Sequence, residues 1–141
     1  MSTGVEKTVF YFDKKGPDNT QKTLEIALAG CKTWEINQIV VASSRGNTAM
    51  MVKEMADPAL DIIAVTYSAG SRYVDDVEAF DQNADKLAES GIKIVLGIHA
   101  LSGTERAFEN KYKSPFIPLN IVADTLRMFC HGVKVCVEIA V

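Results

Sequence analysis

Six consecutive residues, Ser43-Ser44-Arg45-Gly46-Asn47-Thr48, bring together three hydroxyls, an amide, a guanidinium and a glycine. Together these groups can bind an anion. Hydroxyls and amides donate hydrogen bonds to phosphate oxygens, and an arginine adds charge-assisted ones. The hexapeptide follows the apolar run Ile39-Val40-Val41-Ala42 and leads into a helical stretch over 48–56. A strand that ends where a helix begins leaves backbone N–H groups and the positive end of the helix dipole aimed at one spot. The same residues also read as a plain strand-to-helix turn, with Gly46 making the turn and Ser44 or Asn47 capping the helix.

Three other loops carry related groups. In Gly16-Pro17-Asp18-Asn19-Thr20, Gly16 permits a close backbone approach, and Asn19 and Thr20 can hydrogen-bond a polyol or ring edge. Its plainer reading is helix capping by Asp18 or Asn19, with Gln21 completing a capping-box-like pair. Thr66, Tyr67, Ser68 and Gly70 close another apolar run, where Tyr67 either stacks on a flat ring or covers the edge of the core. His99 opens the fourth loop, which continues through Ser102 and Gly103 to Glu105 and Arg106. His99 can donate to a ligand carbonyl or serve as a general acid or base with Glu105 beside it. Ser102 and Arg106 are further ligand candidates, but Ser102 lacks the G-x-S-x-G setting of a nucleophile. His131, between two helices, reads as a surface or packing residue. No metal site is expected, because His99 and His131 share no ligand spacing with Cys31, Cys130 and Cys136.

Alternating strands and helices must position these loops. Strands are predicted over 9–12, 39–42, 62–66 and 92–98. Helices are predicted from Asp18 to about Trp34, then over 48–56, 75–90 with Gly91 as its stop, 104–112 and 120–129. Beyond Gly132, the run Val-Lys-Val-Cys-Val-Glu-Ile alternates like a strand, yet so short a stretch leaves a helix open. Near-continuously apolar strands argue for a parallel sheet covered on both faces, hence a three-layer, doubly wound α/β fold. If the strands lie in the order third, second, first, fourth, a crevice opens beyond the carboxyl ends of the first and fourth. Residues 13–20 and 99–106 would wall it, with 43–48 beside them.

At 141 residues the chain makes one domain able to bury a core without disulfides or metals. A net charge of −3 and the absence of a basic stripe argue against nucleic acid. Three cysteines without paired spacing suit a reducing compartment. The polar first residues lack a signal-peptide core, and no apolar run reaches the ~18–20 residues of a membrane span. A cytoplasmic location is expected.

At the loops the chain becomes recognisable. The runs FYFDKKGPDNTQKTLEIA, VVASSRGNTA, IHALSGTERAF and IVADTLRMFCHGVKVCVEIAV resemble stand-alone archaeal and bacterial proteins similar to the C-terminal α/β domain of pyruvate kinase. The resemblance spans essentially the whole chain. It implies a Rossmann-like three-layer fold whose last two segments are helical. In pyruvate kinase that domain is not catalytic but holds an allosteric sugar phosphate on a loop similar to 43–48. The chemistry belongs to a barrel that this chain lacks, so pyruvate kinase activity is not expected. Some stand-alone members look like binders of flavin mononucleotide (FMN). The resemblance thus implies a bound phosphorylated small molecule, with FMN foremost. An enzyme using His99, or a non-catalytic interaction module, are the rival readings.

The family continues beyond the position of Val141, which reads as truncation here. The missing part would leave a sheet edge and the last helix uncovered, with Val133, Val135, Val137, Ile139 and Val141 in water. A homo-oligomer, at least a dimer, is the expected cover.

Overall fold

The computed structural model describes residue 4, residues 6–69 and residues 74–141. A 3-10 turn, Pro17–Asn19, leads into α1 (Thr20–Thr33), followed by β1 (Gln38–Ala42), α2 (Asn47–Met55), β2 (Asp61–Val65) and α3 (Val74–Glu89). Then come β3 (Lys93–Val95), α4 (Ser102–Tyr112), α5 (Ile117–Arg127) and α6 (His131–Ala140). The chain is therefore mixed α/β around a parallel three-stranded sheet, ordered β1-β2-β3.

Register decides what the sheet buries. Ile39 lies opposite Ile62, Val41 opposite Ala64, and Ala64 opposite Ile94, so these side chains share one face. Leu24 and Leu28 of α1, Ala49 and Val52 of α2, and Phe80 and Leu87 of α3 pack with that face in one core. Strands taken in sequential order by right-handed crossovers carry their connecting helices on the same side, which accounts for this shared core. The opposite face, with Val40 37% and Val95 45% exposed, is only partly covered.

The strand order departs from the expected one. Residues 93–95 pair with β2, and the order does not reverse among the described residues. The crevice expected between the first and fourth strands is therefore not formed.

Nor do residues 9–12 form a strand; they are exposed chain without regular secondary structure. Four residues supply few ladder bonds, and their rings find cations and each other instead. Lys22 Nζ lies 5.9 Å from the Phe10 ring, and Phe10 meets Phe12 edge-on. Asp18 does not cap α1, whose N-cap residue, Asn19, instead donates from its side chain to Lys14 O at 2.6 Å.

The last segment is helix, not strand. Cys130 starts it, its Sγ accepting from Val133 N at 3.3 Å. Lys134 and Glu138, four residues apart, are 3% and 5% exposed, so the period of four prevails over the alternation of two. No helix among the described residues is long and apolar enough to cross a membrane.

Candidate functional site

Three loops meet beyond the carboxyl ends of the strands. Ser43 N donates to Val65 O at 2.9 Å, Thr66 N to Val95 O at 3.1 Å and Ala69 N to Gly97 O at 2.9 Å. His99 Nε2 sits 3.2 Å from Thr66 O. Parallel pairing thus continues past the strands and aligns 43–48, 66–69 and 97–102 along one edge.

Within 43–48 the residues divide by task. Ser43 is buried, and its Oγ accepts from Ala49 N at 3.2 Å, so this hydroxyl is spent on the start of α2. Gly46 has φ +87°, and a Cβ there would stand 2.8 Å from Leu87 Cδ1. Packing against α3, as well as the turn, therefore demands glycine at this position. Asn83 of α3 clamps the same loop, donating to Arg45 O at 2.9 Å and to Ala79 O at 3.1 Å.

What remains faces outward. Ala42, Ser43, Ser44, Arg45, Asn47 and Thr48 line an open depression of about 360 Å³. Ala49 N is taken by Ser43 and Met50 N by Gly46 O. The N–H groups of Asn47 and Thr48 are then the donors of this helix end with no protein acceptor among the described residues. They open on the side that the helix dipole makes positive.

The other expected residues are more engaged with the protein itself. Thr66 is buried, its Oγ1 3.3 Å from Tyr67 O and 3.5 Å from Val95 O. Tyr67 meets Phe80 edge-on at 5.8 Å, which makes it a cover for the core edge. Gly70 lies outside the described residues. Glu105 and Arg106 form no ion pair among the described residues, and no hydrogen bond joins Glu105 to His99 there. Gly16, Asn19 and Thr20 gather at the start of α1, and Gly16 has φ +148°. The side-chain hydrogen bonds at this turn are local, and none reaches the three loops.

Ser102 has a partner that the sequence reading missed. Its N and Oγ donate to Glu138 Oε1 at 2.5 and 2.7 Å, and Leu101 N joins them at 3.1 Å. Lys134 Nζ donates to the other carboxylate oxygen. Burial pushes the Glu138 carboxyl up, but hydrogen bonds from Lys134 and Ser102 and the lysine charge outweigh it, leaving a pKa of about 2. An ionised carboxylate from α6 thus caps α4, and Ser102 is an anchor rather than a nucleophile. Two charges four apart in an otherwise apolar segment could have marked α6 as a helix, though not its capping of α4.

A larger cavity, about 540 Å³, lies where α1 and α2 end, among Leu28, Cys31, Ile36, Met55 and Leu60. Glu25, Glu35 and Asp57 at its rim, with Lys32 the one cation, would repel a phosphate. No group of three His, Cys, Asp or Glu among the described residues could hold a metal. No protein-family model matches the chain.

Proposed function

We propose that this chain is a small-molecule-binding domain of the pyruvate-kinase C-terminal type, and that residues 43–48 hold the phosphate of FMN. The observation that carries the reading is the depression of about 360 Å³ at the start of α2. Ser44, Asn47 and Thr48 line it, and the N–H groups of Asn47 and Thr48 have no protein acceptor among the described residues. Backbone N–H groups at the positive end of a helix, beside hydroxyl-bearing residues, suit an anion.

The fold reading belongs to the same proposal. The unit β1-α2-β2-α3-β3, with its strands in sequential order, has the form of one half of a Rossmann-like doubly wound sheet. In such halves the phosphate sits on the loop after the first strand, and by analogy that loop here is 43–48. The rest of the ligand would run along the carboxyl edge toward His99. Three free cysteines suit a reducing cytoplasm.

Mass and absorbance analysis of the small molecule released on denaturing the purified protein tests the proposal. Recovery of FMN or another phosphorylated compound is the expected result. A purified protein that neither carries such a compound nor takes up added FMN contradicts it. The enzyme reading on His99 and Glu105 gains no support from the geometry around them.

A second reading, self-association, is favoured by a separate observation. Ile117, Ile121, Met128 and Phe129 are 61–84% exposed, and Val133 and Val137 of α6 are nearly 40% exposed. We propose that this apolar surface of α5 and α6 joins a second copy.

A further inference from the structure

The cavity of about 540 Å³ at the ends of α1 and α2 plays no part in the phosphate site proposed above. Its walls come from two described stretches, residues 25–37 and residues 55–60. Asn37 and Leu60 in those walls immediately precede β1 and β2, so the cavity lies at the amino ends of these strands. A space of this order suits a small organic ligand. Leu28 and Cys31 are buried beside it, whereas Ile36 is 44% and Met55 37% exposed, which leaves apolar wall for a ligand to cover.

Charge narrows the class of that ligand. Glu25, Glu35 and Asp57 line the cavity, and Lys32 is the one cation among its described lining residues. Two of the carboxylates are engaged with the protein: Glu25 accepts from Lys22 Nζ at 3.1 Å, and Asp57 from Ala59 N at 2.9 Å. Glu35 has no side-chain hydrogen bond or ion pair among the described residues. It also has φ +54°, a left-handed backbone that favours glycine. Two bonds ending α1, from Trp34 N to Gly30 O at 3.0 Å and from Ile36 N to Cys31 O at 2.9 Å, hold it there. A carboxylate without a protein partner thus stands in the cavity wall at a position where glycine would be less strained.

We propose that this cavity binds an organic monoamine, its apolar body against Leu28, Ile36, Met55 and Leu60 and its ammonium group beside Glu35. The apolar wall by itself would take any apolar molecule of the right size. The excess of carboxylates supplies the choice among them: an anionic ligand meets repulsion, a neutral one leaves Glu35 unpaired, and a cation gains a partner. This second site takes the opposite charge from 43–48 and does not depend on phosphate binding there.

Titration of the full chain with hexylamine, hexanol and hexanoate separates the apolar body from the charge, since the three share an alkyl chain and differ at its end. Methyl NMR shifts of Leu28, Ile36, Met55 and Leu60 report binding at the cavity. The amine should move these methyls and bind at least ~3-fold more tightly than the alcohol, the scale of one exposed ion pair, with hexanoate the weakest. Glu35→Gln should remove the advantage of the amine and leave binding of the alcohol in place. Ala29→Trp, a change at an exposed position of α1 that lines the cavity, should abolish the ligand-induced shifts while circular dichroism shows the fold retained. Methyls that respond to none of the three compounds overturn the proposal. Equal binding of amine and alcohol, preference for hexanoate, or an amine advantage that survives Glu35→Gln overturns it as well.

Discussion

At the scale of single residues, Gly46 and Glu138 show how a side chain's neighbours define its task. Gly46 combines a left-handed backbone with a Leu87 methyl 2.8 Å from where a Cβ would sit. Gly46→Ala should therefore destabilise the fold by about 1–3 kcal/mol, through strain and overpacking together. Urea denaturation would read this; an unchanged midpoint would mean that the loop does not pack on α3 as described. Glu138 predicts more. Glu138→Gln leaves Lys134 buried without its counter-charge, at a cost of roughly 3–5 kcal/mol, while pairing it with Lys134→Met should restore much of the loss. Stability should also depend on acid in one direction. The folded carboxyl titrates near 2, below its ordinary value of 4.5. Its contribution, about 3 kcal/mol, is then complete above pH ~4.5 and is lost as pH falls toward 2. In Glu138→Gln that acid-dependent component should be missing from the pH–stability curve.

Elements were legible in proportion to their length and to the strength of one period. α1, α2 and α3 stand within a residue or two of their expected bounds because apolar stripes and stops such as Gly91, at φ +75°, agree. β1 and β2 were equally plain as apolar runs. Residues 9–12 were legible as a strand in composition only; nothing in four residues says whether a partner edge is at hand. The segment 133–141 fits two periods equally until the Lys134–Glu138 pair decides it, and long-range capping of α4 is not encoded in local spacing. Among the site residues, the hydroxyl-rich loop at 43–48 was readable because all its parts are contiguous. Its division into inward Ser43 and Gly46 and outward Ser44, Arg45, Asn47 and Thr48 depends on α3, 30 or more residues away. The same logic gives a prediction for the edge between elements. His99→Ala removes the 3.2 Å contact to Thr66 O, and should cost about 0.5–1.5 kcal/mol in thermal or urea unfolding. A change far larger than this would mean that His99 holds more of the edge than that one bond.

For the molecule as a whole, the distribution of surface sets the behaviour. α6 turns its charged pair inward and Val133 and Val137 outward, and Ile121 and Phe129 are exposed as well. Light scattering of the parent should give a dimer, and Ile121→Asp with Phe129→Asp should shift it toward monomer; a parent that stays monomeric across a wide concentration range contradicts this. The depression at 43–48 and the larger cavity, with Glu25, Glu35 and Asp57 in its lining, are separate features of the surface. A phosphate site at 43–48 is tested by one titration: FMN against riboflavin, followed by flavin fluorescence, on the parent chain and on Thr48→Ala. The two ligands differ by the phosphate alone. FMN should bind at least ~10-fold more tightly than riboflavin, since charged hydrogen bonds contribute about 1.5–3 kcal/mol, and Thr48→Ala should narrow the gap. Equal binding of the two flavins, or a gap untouched by Thr48→Ala, would contradict a phosphate site at 43–48.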